Sequence, residues 1–289
     1  MTRRRLVPYG LLGPGLLWLA LFFVVPMGFM FVQSLRSGSL LFGGFEFTWE
    51  WSNYSDALTS FNDQFFRSFV YAGVATLLCL LIAYPLAYMI AFRGGKWKNL
   101  LLFAVVAPFF TTYLIRTLAW QTILTDGGAV VDFMKTIGLV AEDGRVLDTA
   151  GSVIAGLTYN FLPFMILPIY ASLERIDLSL IEAARDLYAS SATAFRKVTL
   201  PLTAPGIVAG TLLTFIPAAG DYINAEFLGS QNQSMIGNVI QSKFLVERDF
   251  PSAAALSFVL MAVILVIVLM YIRFAGSEAL MGEEAEPAR

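Results

Sequence analysis

The chain has 289 residues, of which 57% are hydrophobic and 14% are charged, and its formal net charge is -2. Together with a mean hydropathy of +0.71, this composition excludes an ordinary soluble domain and is typical of membrane proteins. The small net charge and the lack of a basic patch exclude nucleic acid as a partner. The absence of histidine and the single cysteine, Cys79, exclude an internal disulfide and a histidine or multi-cysteine metal site.

Six stretches are long and apolar enough to cross a bilayer as helices. Each crossing needs about 20 residues, because backbone polar groups must pair internally in lipid. The stretches cover about residues 9–32, 69–92, 99–124, 151–173, 205–227 and 255–274. The first is longer than the apolar region of a signal peptide and lacks a small-residue cleavage pattern, so we expect a retained helix. The sequence therefore predicts an all-α membrane protein with six transmembrane helices.

Lysine and arginine are concentrated before the first span and in the loops after the second and fourth spans. The positive-inside tendency therefore places both termini in the cytoplasm. We expect one membrane domain over residues 1–275, a polar cytoplasmic loop at residues 174–204 and a short acidic cytoplasmic tail at residues 276–289. The loops assigned to the outside carry more acidic than basic residues, which favours the approach of cations.

The polar loop at residues 174–204 has the pattern of two short helices. Ser179 and Glu182 show the S-x-x-E spacing of a capping box, which predicts a helix start at Ser179. The apolar stripe of this helix comprises Leu180, Ile181, Ala184, Leu187 and Tyr188. A second helix carries Phe195, Val198 and Leu200 and is expected to stop at Pro201 and Pro205. Two interpretations remain open: a hairpin on the lipid interface, or a docking element for a cytoplasmic partner.

Asp221 is a carboxylate within the fifth span and follows Gly220 in the stretch TFIPAAGDYINAEFLG. Ionisable groups in spans are costly to insert and are therefore candidate functional groups. We predict that the helix breaks here, and that Asp221 lies on a solute pathway or caps the outer interface. Tyr222, Asn224 and Glu226 are neighbours that would add a ring face, an amide and a second charge.

Two further polar sites lie in predicted spans. Arg116 in the third span is expected to reach the headgroups or to form a salt bridge with Asp221 that holds a gate shut. Tyr159 and Asn160 are expected to interrupt the fourth span just before Pro163. Asn160 must then find a hydrogen-bond partner on another helix or in a pore.

The stretch EAARDLYASSATAFRKVTLPLTAPGI, residues 182–207, resembles the E-A-A loop of ABC-importer permeases. In that family the loop is a coupling helix that sits in a cleft of the ATP-hydrolysing subunit. The resemblance implies an ATPase contact made by Ser179, Glu182, Ala183, Ala184, Leu187, Tyr188, Phe195, Leu200 and Pro201. Tyr188 stands where the family has glycine, which implies a wider cleft or a different helix angle.

Three other segments are similar to those of spermidine/putrescine-type permeases: PFFTTYLIRTLAWQTIL, LTYNFLPFMILPIYASLERID and AGDYINAEFLGSQNQSMIGNVIQSKF. This similarity implies a type I ABC-importer permease (MetI-like) fold in the bacterial inner membrane. It also implies a second related permease, two ATP-binding subunits and an extracytoplasmic substrate-binding protein. Related importers carry ferric iron or phosphonates, so these solutes remain alternatives, as does an ion-coupled secondary carrier.

The sequence also separates this chain from the ATP-hydrolysing step. RGGKW lacks the hydroxyl residue and the upstream spacing of a phosphate-binding loop. We therefore expect no cofactor, metal or catalytic residue in this chain, and we expect ATP and Mg to be bound by partner subunits. Membrane lipid is the other expected partner.

Overall fold

The computed structural model describes residues 12–39 and 43–275, and these residues are mainly helical. The described helices are α1 (Leu12–Ser34), α2 (Ser52–Ser60), α3 (Asn62–Arg93), α4 (Lys98–Val106), α5 (Tyr113–Leu124), α6 (Ala129–Thr136), α7 (Ala150–Glu174), α8 (Leu178–Asp186), α9 (Ser191–Leu202), α10 (Ala204–Ala219), α11 (Ile223–Leu228), α12 (Ile236–Gln241) and α13 (Phe250–Ala275). Strands β1 (Arg36–Ser39) and β2 (Gly44–Phe47) form an antiparallel pair that the sequence did not predict. Arg3, Arg4 and Arg5 and the predicted tail at residues 276–289 lie outside the described residues.

Four of the described helices are long and apolar enough to span a membrane, namely α1, α3, α7 and α13. Two bent pairs raise the count to six if each pair is one span. The predicted span at residues 99–124 is sharply bent, because the segments on either side of Thr111–Thr112 meet at 93°. Thr111 and Thr112 are extended, so the backbone leaves the helix after the turn at Pro108. The second pair, α9 and α10, bends by 62°.

The chain forms two compact units. The first holds the residues up to Asn62 together with Val239–Ala262. In this unit Arg36 of β1 pairs with Phe47 of β2, and Ser39 pairs with Gly44. The Asn53 side-chain amide of α2 donates to the carbonyl oxygens of Ser34 and Arg36, each at 2.9 Å. These bonds fix the start of the strand pair to the end of α1.

The second unit holds Asp63–Asn238 together with the chain from Val263 onward. A row of small residues on α3 is completely buried in it: Ala72, Ala75, Cys79, Ala83 and Ala87. Spacings of three and four residues place this row on one helix face, where small side chains permit close helix packing. The Cys79 thiol donates to the carbonyl oxygen of Thr158 in α7 at 3.3 Å. Cys79 is therefore a packing residue.

Helices α7 and α10 approach each other closely at two glycines of α10. A Cβ atom added at Gly206 would lie 2.5 Å from the carbonyl oxygen of Pro168, and one at Gly210 would lie 2.8 Å from Met165 Sδ. The two glycines have the G-x-x-x-G spacing that brings membrane helices together. The contact fixes α10 against α7, and α10 ends next to the polar groups described below.

We expect the Gly206→Ala variant to lose about 1–3 kcal/mol of unfolding free energy, because the new methyl group meets a backbone carbonyl that has no room to move. Gly73→Ala on α3 is the matched control, since no heavy atom lies within 4 Å of its added Cβ. The control should gain about 0.5–1 kcal/mol from helix propensity. Thermal unfolding of both purified variants in detergent measures the difference. Equal effects of the same sign would contradict this account of the α7–α10 contact.

Candidate functional site

Residues 174–204 form a helical hairpin, as the sequence predicted. Helix α8 ends at Asp186, a turn follows, and α9 begins after Ser190, whose hydroxyl accepts from the Thr193 amide at 3.3 Å. The second helix ends at Leu202, between Pro201 and Pro205 as predicted, and Pro201 lies in its last turn after a π-helical segment, Phe195–Thr199. A proline at the first positions of a new turn costs no hydrogen bond there.

The predicted start of α8 is wrong. The helix begins at Leu178, and Asp177 caps it by accepting from the Ser179 amide at 2.9 Å. Ser179 is therefore not the cap, and the predicted capping box with Glu182 is not formed. The hydrogen bonds from the Ser179 backbone and side chain hold the pKa of Asp177 below its ordinary value. The capping contribution is thus present at neutral pH and is lost as the pH falls through that lowered pKa.

The second half of the hairpin is fixed to α3. The Phe195 ring packs edge-on against Tyr84 at 5.6 Å and against Tyr88 at 6.2 Å between centroids. The Tyr84 hydroxyl shares a 2.9 Å hydrogen bond with the Thr203 hydroxyl, and Thr203 is completely buried. Leu200 is half-buried, whereas Pro201 is exposed. These contacts tie the second half of the hairpin to α3 and to the residue before α10.

The first half of the hairpin points away from this anchor. Glu182 and Ala183 are exposed and Ala184 is partly exposed. At the tip, Leu187 is 82% exposed and Tyr188 is 99% exposed. The hairpin thus presents an apolar tip beside a charged residue, with no contact from the rest of the described chain to cover Tyr188.

The backbone conformation at Tyr188 explains why the resemblance predicts a glycine at this position. Its φ angle is +59°, in the left-handed region that favours glycine. A side chain in this conformation costs about 1 kcal/mol. The backbone of the turn is kept although tyrosine replaces glycine, so the substitution changes the surface of the tip more than the path of the chain.

The cap assignment can be tested with two alanine variants. Asp177→Ala should speed amide hydrogen exchange at the start of α8, because the Ser179 amide loses its acceptor. Ser179→Ala keeps that backbone amide and its acceptor, and we expect exchange close to that of the wild type. Faster exchange in Ser179→Ala with no change in Asp177→Ala would instead support the predicted capping box.

A second site lies where the chain breaks between α10 and α11. Helix α10 ends at Ala219, and Asp221 follows in the break, only 8% exposed. Its carboxylate accepts from the Tyr113 hydroxyl at 2.5 Å and from the Asn224 backbone amide at 2.8 Å. The predicted helix break is confirmed, and the carboxylate covers a free amide at the start of α11.

The polar contacts continue across three helices. The Asn224 side-chain amide donates to the Tyr113 hydroxyl at 2.5 Å. The Asn160 amide donates to Asn224 Oδ1 at 3.1 Å and to Thr117 Oγ1 at 3.3 Å. We name the set formed by Tyr113, Arg116, Thr117, Asn160, Asp221 and Asn224 the central polar cluster. It joins α5 and α7 to the α10–α11 break.

The predicted interruption of the fourth span is wrong. Helix α7 runs unbroken from Ala150 to Glu174, so Tyr159 and Asn160 lie in its interior. The helix satisfies their backbone groups, and Asn160 finds side-chain partners on neighbouring segments instead. Asn160 Oδ1 is buried without a hydrogen-bond partner. Tyr159 is not part of the cluster, because its ring packs against Trp120 at 5.4 Å.

Arg116 is buried against neighbouring residues, with 7% of its surface exposed. Its predicted reach to the headgroups stays a prediction. No carboxylate among the described residues lies within ion-pair distance of it, so the predicted salt bridge with Asp221 is not formed. The guanidinium lies over the rings of Phe109, at 5.3 Å, and Tyr113, at 5.6 Å. Its Nε and Nη1 atoms are buried without hydrogen-bond partners.

Tyr222 and Glu226 lie on the exposed side of the break. Tyr222 is 40% exposed. Asn238 donates to the Tyr222 carbonyl oxygen and to Glu226 Oε2, each at 3.0 Å. Sequence reasoning missed Tyr113, Thr117 and Asn238. The signal available for the first two was that Tyr113 lies one turn before both Arg116 and Thr117, since residues three or four positions apart are neighbours on a helix surface.

The cluster places one buried carboxylate near a buried guanidinium group, that of Arg116. It combines one buried carboxylate with ring faces and amide oxygens, and an exposed carboxylate follows one turn later. Among the residues that the structure describes, no group of three or more acidic or cysteine side chains is placed to hold a metal ion.

The Tyr113→Phe variant should lose about 1–3 kcal/mol of unfolding free energy, because buried Asp221 loses one of its two donors and the Asn224 side-chain NH2 group loses its acceptor. Tyr159→Phe removes the same atom from a tyrosine outside the cluster and is expected to have little effect. Thermal unfolding of both variants provides the measurement. Matching losses in the two variants would contradict the role given to the Tyr113 hydroxyl.

Comparisons with known proteins match nearly the whole chain. The family model of the binding-protein-dependent transport system inner membrane component matches residues 14–276. The spermidine/putrescine transport system permease protein PotB of Haemophilus influenzae is 39% identical over 259 residues, which cover 89% of this chain and 90% of the relative. PotB of Escherichia coli K12 is 41% identical over 202 residues, which cover 70% of this chain and 74% of the relative.

Two solved structures share the fold. A chain of a bacterial ABC transporter involved in the import of the acidic polysaccharide alginate matches with a TM-score of 0.68 at 20% identity, covering 94% of this chain and 96% of that one. A chain of the alginate transporter in complex with its pentasaccharide-bound periplasmic protein matches with a TM-score of 0.69 at 19% identity, covering 96% of each chain. The described helices therefore have the arrangement of an ABC-transporter membrane chain.

Proposed function

We propose a function from the premise that this chain belongs to the family of binding-protein-dependent transport system inner membrane components. The chain is a transport subunit of the inner membrane. We infer that it is a permease of an ATP-driven importer for polyamines such as spermidine and putrescine. The observation that carries this proposal is its identity of 39% to a spermidine/putrescine permease over 89% of the chain.

The central polar cluster supports a cationic solute. Asp221 offers a buried carboxylate at a helix break, the kind of place where transporters bind ions and charged solutes. The proposed pathway comprises Asp221, Tyr222, Asn224, Glu226, Tyr159, Asn160 and Arg116. In it the two carboxylates would attract ammonium groups, and the exposed Tyr222 would offer a ring face. Asn160 would line the path as an acceptor, because its buried Oδ1 lacks a hydrogen-bond partner and can accept from an ammonium group. Arg116 would lie beside the path with its charge held over the rings of Phe109 and Tyr113.

The proposed topology has six crossings, with each bent pair counted as one span and both termini in the cytoplasm. Residues 1–275 then form a single permease domain, followed by the tail at residues 276–289. The hairpin at residues 174–204 lies in the cytoplasm in this arrangement. Its neighbours Lys98 and Glu174, joined by a 2.7 Å ion pair, would lie at the same surface.

The hairpin is the proposed contact with two ATP-binding subunits, which hold ATP and Mg. Its exposed tip at Leu187 and Tyr188 is free to enter a cleft, while Phe195 and Thr203 tie it to α3 and α10. Closure of the ATPases around ATP would move the hairpin and open the bundle outward. The other proposed partners are a second, related permease and an extracytoplasmic substrate-binding protein. ATP would bind the closed state of the ATPases more tightly than the open state, and this difference in affinity would shift the equilibrium towards closure.

The proposal is tested by uptake of labelled spermidine into vesicles that contain the assembled complex. Uptake should require ATP on the side of the membrane that carries the ATP-binding subunits, and an ion gradient alone should not drive it. Glu182→Lys should lower uptake by about tenfold or more, because a coupling free energy above about 1.4 kcal/mol is lost. Glu142→Lys makes the same charge change at an exposed residue outside the hairpin and should leave uptake unchanged.

Three results would overturn the proposal. The first is ATP-independent uptake driven by an ion gradient. The second is normal uptake by Glu182→Lys in a complex that still contains the chain. The third is a complex that hydrolyses ATP and transports another solute, such as ferric iron or a phosphonate, while leaving spermidine outside; this result would reject the polyamine and keep the importer.

A further inference from the structure

A polar pocket in the first unit has a charge pattern that the transport pathway does not explain. Its volume is about 310 Å³, and its lining includes Arg36, Ser37, Asn53, Arg248 and Ser252. Glu247 and Asp249 also line it. We name it the arginine pocket.

The pocket is held by bonds on both of its sides. On one side, Asn53 binds the carbonyl oxygen of Arg36, and the Thr48 hydroxyl donates to Ser37 Oγ at 3.0 Å. On the other side, Asp249 accepts from the Ser252 amide at 3.3 Å, at the start of α13. Arg248 has a φ angle of +55°, an unfavourable conformation for a residue with a side chain. Strained conformations of this kind are concentrated at functional sites.

The acidic groups of the pocket already have cationic partners. Lys243 Nζ lies 2.6 Å from Glu247 Oε2 and 3.8 Å from Asp249 Oδ2. The two arginines differ from them, because no carboxylate of the described residues lies within ion-pair distance of Arg36 or Arg248. Arg36 Nε is in addition buried without a hydrogen-bond partner. The pocket therefore presents two guanidinium groups whose charge the described chain leaves uncompensated.

Two guanidinium groups at a polar pocket select an anion. Guanidinium binds carboxylates through paired, charge-assisted hydrogen bonds. A polyamine cation would be repelled by the same charges, so the pocket is unsuited to the proposed solute. The surrounding outer loops are acidic on balance, which makes a locally basic pocket a distinct feature of that face.

We propose that the arginine pocket receives an acidic side chain of the extracytoplasmic binding protein and thereby fixes where that protein docks. This inference rests on the proposed function, because the topology proposed there places β1, β2 and the segment before α13 outside the membrane. A carboxylate on a protein surface fits the pocket better than a free solute, since the pocket opens at an exposed arginine and is rigidly framed on both sides. The contact would affect the association rate and the position in which the binding protein docks more than it affects the total affinity.

The experiment measures binding of spermidine-loaded polyamine-binding protein from the same organism to the assembled transporter in nanodiscs. Arg36→Gln and Arg248→Gln should each weaken the affinity by about tenfold at low salt, and the difference from wild type should shrink as salt is raised. Arg145→Gln is the matched control. It removes the same charge from an outer-loop arginine that is already paired with Asp126 and Asp148, and its binding should equal that of the wild type.

The variants are compared only in complexes that retain the basal ATP hydrolysis of the wild type. ATP-dependent spermidine uptake is measured separately on the wild-type complex, so a failure of the proposed function is distinguished from a failure of this inference. Arg36→Lys is the control for damage to the strand pair. It keeps the positive charge, so it should bind the binding protein more tightly than Arg36→Gln does. Unchanged affinity in both glutamine variants, or an equal loss in Arg145→Gln, would overturn the inference. So would an effect that occurs with anionic lipid and disappears in zwitterionic nanodiscs, because the ligand would then be a lipid phosphate.

Discussion

The buried carboxylate of Asp221 depends on two donors, and much of the second unit is arranged around this requirement. A polar group in a membrane span has no bulk water to bind, so it must find partners inside the protein. The Tyr113 hydroxyl and the Asn224 amide meet this need at 2.5 Å and 2.8 Å. They do so only because α5 lies against the break between α10 and α11. Asn160 then extends the same contacts to α7.

One helix joins this carboxylate to the exposed hairpin. Helix α10 has 16 residues, a length of about 24 Å, with Thr203 before its first residue and Asp221 just beyond its last. At its first end Thr203 is bonded to Tyr84, and along its length Gly206 and Gly210 hold it against α7. A displacement of the hairpin would therefore act on the Asp221 environment through a continuous, closely packed element. This is a physical route for coupling that needs no flexible linker.

Charge is divided between sites in a way that suits different ligands. The central polar cluster combines one carboxylate, that of Asp221, with the Tyr113 ring, and its one cation, Arg116, lies over the rings of Phe109 and Tyr113. The arginine pocket has the reverse pattern, because Lys243 engages its acids and leaves the guanidinium groups uncompensated. For the solute and the docking contact proposed above, a cation and an anionic side chain would each meet a surface of opposite sign.

Composition and periodicity alone determined the membrane class, the approximate spans, the polar hairpin and the helix break at Asp221. These features are local, since they follow from runs of apolar residues, from glycine and from helix spacing. The cap of α8 was misplaced because Asp177 and Ser179 are both good caps, and only the observed backbone path selects one. The partners of Asp221, the burial of Arg116 and the unbroken α7 at Asn160 were decided by the tertiary structure. Each depends on side chains that lie far apart in the sequence, such as Tyr113 and Asn224, and no local pattern records which helices will meet.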